Sequence, residues 1–268
     1  MIFLSMNMYT QEQFEEVFHF TKQFPRLGLE LFPLFNQEGF SELEKSYERK
    51  LKMFPISCHE QYYEAENSAV VGSKAYEKTD RFLDQTLAMC NRLDSRYIVF
   101  HYNNKAVEEN ENSVDGKPQM LERARKRLIL VKEKAKLAGV PIVVENTGVP
   151  SHRNVLLDEK EFITECKKNR DKVLIDIGHA WCNRWNLSHV IEELKDQIVA
   201  YHIHNNDGIQ DGHQRIHNGT GDFEQFTRDY LRFTPNADLV LEYAYNVRTD
   251  IEGIEADIQE MMLLQARA

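Results

Sequence analysis

The feature that most constrains this chain is a strict alternation of short apolar runs with longer amphipathic ones. The apolar runs are IFLSM (2–6), LGLELF (27–32), PISCHE (55–60), YIVFH (97–101), PIVVEN (141–146), KVLID (172–176), IVAYHIH (198–204) and DLVLEY (238–243). Helical spacing fills most of the intervals. TQEQFEEVFHFTKQF starts with Thr10 as an N-cap, and further helices are expected over Ser41–Lys52, Ser73–Leu93, Lys117–Ala138, Asp158–Lys168, Leu187–Leu194, Phe223–Phe233 and Asp250–Leu264. Gly139 follows the longest of them as a C′ stop. Runs such as VVE, VLID and LVLE are apolar on both faces, as strands of a parallel sheet covered on two sides must be. Eight strand–helix units in 268 residues predict an α/β fold, a (β/α)8 TIM barrel with 1–268 as a single domain. The alternative, a doubly wound open sheet, usually carries a Gly-rich turn after its first strand, and IFLSMNMYT has none.

Composition narrows the function classes. A hydrophobic content of 42% with 28% charged residues is ordinary for a soluble globular protein, and no run approaches the roughly 18 apolar residues of a membrane span. A formal net charge of −10 argues against a general nucleic-acid binder. Cys58, Cys90, Cys166 and Cys182 form no CxxC pair, so reduced thiols and a cytoplasmic location are expected. MIFLSMNMY has no basic start and is too short for a signal core, which points the same way. No sequence signal sets an oligomeric state.

The ends of the apolar runs carry the chemistry. Glu30 lies near the end of the second, His59 and Glu60 end the third, and His101 ends the fourth. Glu145 ends the fifth, Asp176 the sixth with His179 three residues on, His202 and His204 the seventh, and Glu242 the eighth. Asp211 and His213 follow in the loop after the seventh. In a parallel barrel these ends share one rim, where active sites lie. Packing alone would fill such positions with Val, Leu or Thr. Bringing Glu145, Asp176 and Glu242 to one mouth without a cation would cost several kcal/mol in repulsion and desolvation. A divalent metal removes that cost, and a mixed carboxylate–imidazole set suits Mn²⁺, Zn²⁺, Fe²⁺ or Co²⁺ better than Ca²⁺, with Mg²⁺ also open. His19, His152 and His189 lie outside the pattern and read as packed or surface histidines.

CHEQYY, VFH, VVENTG, LIDIGHAW, YHIHNNDGIQDGH…NGTGDF and LVLEY together resemble the xylose-isomerase-like TIM barrels. That superfamily includes sugar and sugar-phosphate isomerases and epimerases as well as endonuclease IV. The resemblance runs from the third apolar run to the eighth. It implies a core metal site of Glu145, Asp176, His202 and Glu242. It also implies a second site of His59 and His101 sharing Glu145, and a third of His179, Asp211 and His213, so more than one ion. Either His202 or His204 fills the strand-seven position; His202 is preferred, because Asn205 then falls where the family often has Asp. Other departures are Gln61 for a common Pro, Tyr102-Asn103 for Pro-Gly, and a longer spacing between His213 and Gly219.

Two reactions follow. In the first, a sugar or sugar phosphate is isomerised or epimerised by proton transfer next to a carbonyl. Glu145 and Glu242 are then acid and base, and His179, Glu30, His59, Trp181 and His204 contact the substrate. In the second, metal ions assist phosphodiester hydrolysis at abasic DNA, which needs a basic groove. Arg153, Arg184, Arg215 and Arg248 are too few and scattered to supply one, so a small-molecule partner is expected and nucleic acid is not.

Overall fold

All eight apolar runs become strands in the computed structural model, which describes residues 1–267. They are β1 (Ile2–Ser5), β2 (Gly28–Leu31), β3 (Ile56–His59), β4 (Ile98–Phe100), β5 (Ile142–Glu145), β6 (Lys172–Asp176), β7 (Ile198–Ile203) and β8 (Asp238–Leu241). Each pairs in parallel with the next, and β8 pairs with β1, so the sheet closes into a barrel. The expected (β/α)8 architecture is therefore observed.

The barrel has two cores. The larger lies between strands and helices and runs round the whole molecule. The smaller is a plug of Tyr97, Val99, Val143, Leu174 and Ala200. Side chains along a strand alternate between faces, so residues two apart share one. Two positions beyond Val99, Val143, Leu174 and Ala200 stand His101, Glu145, Asp176 and His202. The same strand faces thus change from apolar to ionisable within one step of the pleat. The plug closes the barrel below, and the ionisable layer sits directly on it.

Helix ends follow the local chemistry. Lys117–Ala138 stops at Gly139, which takes φ +75°. Asp158 and Glu161 form a reciprocal capping box ahead of Glu159–Asn169. Among the described residues no helix is long and apolar enough to cross a membrane, and the four cysteines are buried and free.

Three segments differ from the sequence reading. The helix expected after Thr10 winds first through i→i+3 hydrogen bonds and becomes α-helical only over Phe18–Gln23. Phe14, Val17 and Phe20 are all buried, and a spacing of three matches the period of a 3₁₀ turn. The helix expected over Ser41–Lys52 is broken at Tyr47 into Phe40–Ser46 and Glu48–Leu51. A short helix, Ile177–Cys182, follows β6 directly and was not expected. It is too short for a periodic signal, but Asp176 caps it by accepting from the His179 backbone N–H at 2.7 Å.

Beyond the last pairing of β5 with β6, Asn146 holds the two strand ends together. Its Nδ2 donates to the Asp176 carbonyl at 2.9 Å, and its Oδ1 accepts from the Asp176 N–H at 2.8 Å. Asn146→Ala strands both buried groups and is expected to destabilise the protein by about 2–4 kcal/mol. Urea denaturation checks this through a lowered midpoint at unchanged slope; an unchanged midpoint would show that the strand ends hold without the clamp.

Candidate active site

His202, in the fully buried interior of the mouth, presents Nδ1 to three carboxylates. Glu242 Oε2 is 3.2 Å away, Glu145 Oε2 3.4 Å and Asp176 Oδ2 3.8 Å. Its Nε2 meets Glu30 Oε1 at 3.0 Å. With the ring proton committed to Glu30, Nδ1 turns a lone pair towards oxygens that also carry lone pairs. It is a buried polar atom with no hydrogen-bond partner.

The second cluster repeats this pattern with stricter tautomer control. His59 Nδ1 donates to the Glu60 carbonyl at 2.7 Å. His101 Nδ1 donates to Asn104 Oδ1 at 3.0 Å. The Asn104 orientation is fixed, because its Nδ2 donates to the carbonyls of Tyr62 and Ala65. Both Nε2 atoms therefore point inward as acceptors, 3.0 Å apart, with Glu145 Oε2 3.0 Å from His101 Nε2. In the third cluster His179 Nδ1 donates to the Asn146 carbonyl and His213 Nδ1 to the Glu242 carbonyl. Their Nε2 atoms face Asp211 at 3.2 and 3.3 Å. Ligand atoms lie within 4.8 Å of one another in His59–His101–Glu145, Glu145–Asp176–His202, Glu30–His202–Glu242, Asp176–His204–Glu242 and His179–His204–Asp211–His213. Imidazoles fixed by one hydrogen bond and turned on carboxylates by the other nitrogen are the donor set a divalent cation requires.

Protonation tells the same story. Burial opposes a charge on His202, yet Glu242, Glu30 and Glu145 hold its pKa well above the usual imidazole value. Asp176 and Asp211 do the same for His179 against its burial, and Asp211 raises His213 to about 10. Burial would raise Glu145, but His101 and His202 hold it well below the usual carboxylate range. For Glu242 burial prevails and pushes it up to about 7. The cluster demands positive charge, which protons supply when no cation does.

The loop after β7 brings the third cluster back over the mouth. Asn205 and Gln214 exchange backbone hydrogen bonds at 2.9 and 2.8 Å, stapling the loop shut. Asn205 Nδ2 donates to the Ile216 carbonyl, which an Asp could not do. The departure from the family's usual Asp therefore builds the loop.

Above the clusters opens a cleft of about 750 Å³. His59, His101, Glu145, His179, Asp211, His213 and Glu242 form its floor, and Phe32, Tyr62 and Tyr63 an aromatic wall. Asn7, Asn103, Thr147 and Asn154 add neutral polar groups, and His152 completes the rim. Three expected substrate contacts are placed elsewhere. Glu30 and His204 are wholly buried and do not line the cleft. Glu30 lies behind His202, while His204 Nε2 meets Asp176 Oδ2 at 3.0 Å and its ring stacks on His213. Trp181 also stands off the cleft wall and packs on Gly221. Conversely, His152, read from sequence as a surface residue, is exposed but reaches the cleft. Phe32 and Thr147 carried a usable signal, each lying two residues beyond an acidic strand-end residue and hence on the same face. Asn7, Asn103 and Asn154 carried none.

The family profile of the xylose isomerase-like TIM barrels matches residues 18–264, and the chain belongs to that family. An uncharacterized protein of Methanocaldococcus jannaschii is 29% identical over 126 residues, a match covering 46% of this chain and 47% of that protein. The chain thus spans about half the length of that relative. Among solved structures, a D-tagatose 3-epimerase-like protein superposes with a TM-score of 0.76 at 17% identity, over 99% of this chain and 98% of that one. The TTHB071 protein of Thermus thermophilus, soaked with ZnCl2, gives 0.71 at 20% identity, over 100% and 97%. At these identities the likeness is one of fold.

Gly178 shows how tightly the layer is built. A Cβ there would run into the His204 ring, which Asp176 and the stacked His213 hold in place. Gly178→Ala is expected to destabilise the protein by about 1–3 kcal/mol. Chemical denaturation measures this, and a neutral result would show that the His204 ring is free to move.

Proposed function

We propose that this chain is a divalent-metal-dependent isomerase or epimerase, moving a proton next to the carbonyl of a sugar. The observation that carries the reading is the placement of Glu145 and Glu242. They come from β5 and β8, three strands apart round the ring, and both face the cleft while flanking His202 Nδ1. Two carboxylates on different sides of one substrate position suit removal of a proton from one face and its return on another.

Glu145, Asp176, His202 and Glu242 would hold the ion, which supplies electrophilic assistance that acidifies a C–H bond beside a carbonyl. Glu145, kept ionised by its histidine neighbours, is the base. Glu242 delivers the proton from the other side. His179 holds a substrate hydroxyl, Phe32 and Tyr62 cover an apolar sugar face, and Asn7 and Thr147 offer hydrogen bonds to further hydroxyls. Among the described residues no Lys or Arg lines the cleft, which favours a sugar without phosphate. The likeness to a D-tagatose 3-epimerase-like protein supports a sugar substrate, and the zinc soak of the Thermus protein supports a transition-series ion.

A second reading has its own support. The clusters around His59–His101 and Asp211 complete the three-site set that the resemblance associates with endonuclease IV, and hence with phosphodiester hydrolysis. Against it, two of the four arginines that would line a DNA groove are engaged elsewhere: Arg153 pairs with Glu109, and Arg215 with Asp250 and Asp257.

Metal-loaded protein is expected to exchange a substrate C–H hydrogen with deuterated solvent. Glu145→Gln and Glu242→Gln should each lower that exchange by about 10²-fold or more, read by NMR across a panel of ketoses and aldoses. Cleavage of abasic-site DNA by the wild type, with no exchange into any sugar, would replace the first reading by the second.

Metal content gives a further test. Asp176→Ala should empty the core site, whereas His59→Ala and His213→Ala should lower the metal per chain and leave that site filled. Because burial pushes Glu242 up to about 7, the ion must displace a proton from it below that pH. His202, held well above the usual imidazole value, must lose a proton as well, so affinity should fall throughout as pH drops from 8.5 to 5.5. Competition titrations from pH 5.5 to 8.5 check the sign, and a rise in affinity on acidification would contradict the ligand assignment.

A further inference from the structure

Of the five histidines that the sequence assigns to the three clusters, one is oriented opposite to the rest; His204, a sixth beside the third cluster, turns its Nε2 to Asp176. His59, His101, His179 and His213 each use Nδ1 against a neutral oxygen and turn Nε2 inward. The neutral partners are three backbone carbonyls and one side-chain amide. His202 reverses the ring: its Nε2 meets the Glu30 carboxylate at 3.0 Å, leaving Nδ1 for the core cluster. His179 Nδ1 also lies 3.3 Å from Glu145 Oε1 and His213 Nδ1 3.6 Å from Glu242 Oε2, but those carboxylates belong to the core ligand set, whereas Glu30 stands outside it and behind His202.

Glu30 is costly where it stands. It is wholly buried on β2 and lines no part of the cleft. Its one ion-pair partner among the described residues is His202, and its second oxygen finds only Ser57 Oγ at 3.5 Å. A buried carboxylate without a cation of its own is destabilising. That cost is relieved when the imidazole it faces becomes electron-poor, as it does on giving its other lone pair to a cation. A carboxylate behind a ligating imidazole also raises the basicity of the ligand and fixes its tautomer.

We infer that Glu30 is a positioning residue that sets the order of metal loading: it makes the core site of Glu145, Asp176, His202 and Glu242 fill first, ahead of the two clusters whose histidines lean on neutral oxygens. The inference rests on the metal-dependent reading above. It assigns Glu30 no contact with substrate, in place of the substrate contact expected from sequence.

The test is a stepwise Zn²⁺ titration of metal-free protein against a chromophoric chelator, repeated with Co²⁺ to record the visible spectrum. Wild type should show one tight equivalent followed by weaker ones. Glu30→Gln keeps the shape and an acceptor for His202 Nε2–H but removes the charge. It should weaken the first equivalent about 10- to 100-fold and leave the later ones unchanged. The Co²⁺ spectrum of the first equivalent should shift. Glu30→Ala, which also frees the ring, should weaken it further; if Glu30→Ala fails to fold, the isosteric Gln variant decides. Ser57→Ala should leave the first equivalent in place. A first equivalent unchanged in Glu30→Gln, or one lost in His59→Ala instead, overturns the inference while the metal reading stands. Wild type that takes up no Zn²⁺ or Co²⁺ overturns both.

Discussion

His202 Nδ1 faces the oxygens of Glu145, Asp176 and Glu242 with no hydrogen to give them once its ring proton is on Glu30. While the rings are neutral, lone pair against lone pair in a buried space is repulsive, and the same contact recurs between His59 Nε2 and His101 Nε2 and between Asp211 and its two histidines. Each place becomes favourable only when a positive charge enters. A proton can satisfy one pair at a time. A divalent ion satisfies three or four ligands together, because its field reaches all of them from one point. The surrounding hydrogen bonds make sense on that basis: the Glu60 carbonyl, Asn104, the Asn146 carbonyl and the Glu242 carbonyl each hold one imidazole in the tautomer that a cation needs.

What lets a small barrel tolerate so much buried charge is the layer below it. Val99, Val143, Leu174 and Ala200 fill the interior one pleat beneath His101, Glu145, Asp176 and His202. Backbone pairing around the closed ring fixes the height of each residue, so the ionisable layer inherits its geometry from the register of the sheet. Asp176 sits opposite His202 in the β6–β7 pairing. Asn146 then ties Asp176 to β5 and thereby to Glu145. The rigid part of the site is therefore strand, whereas the loop bearing Asp211 and His213 is held by the Asn205–Gln214 staple.

Much of this was legible in the sequence because a parallel barrel converts position along a strand into position in space. Eight apolar runs, the third to the eighth of them ending in Glu, His or Asp, were enough to place Glu145, Asp176, His202 and Glu242 at one rim. Both strand-seven histidines reach Asp176, His202 through Nδ1 at 3.8 Å and His204 through Nε2 at 3.0 Å, and His204 also stacks on His213. What stayed hidden depends on loops and side-chain direction. Glu30 and His204 read as substrate contacts because nothing in a strand pattern says which layer of a barrel interior a residue occupies. His152 and Asn154 reach the cleft only through the path of the turn after β5, and Asn7 only through the 3₁₀ turn after β1. The helix Ile177–Cys182 was too short to show a period.

The central claim is that a single divalent ion lies among Glu145, Asp176, His202 and Glu242. Anomalous diffraction at the zinc absorption edge, from crystals grown with stoichiometric Zn²⁺, tests it most directly. The account predicts a peak about 2 Å from His202 Nδ1, with oxygens of all three carboxylates around it and His202 Nε2 still on Glu30. A peak bound through His202 Nε2, or none within reach of that ring while zinc sits elsewhere on the chain, would contradict it.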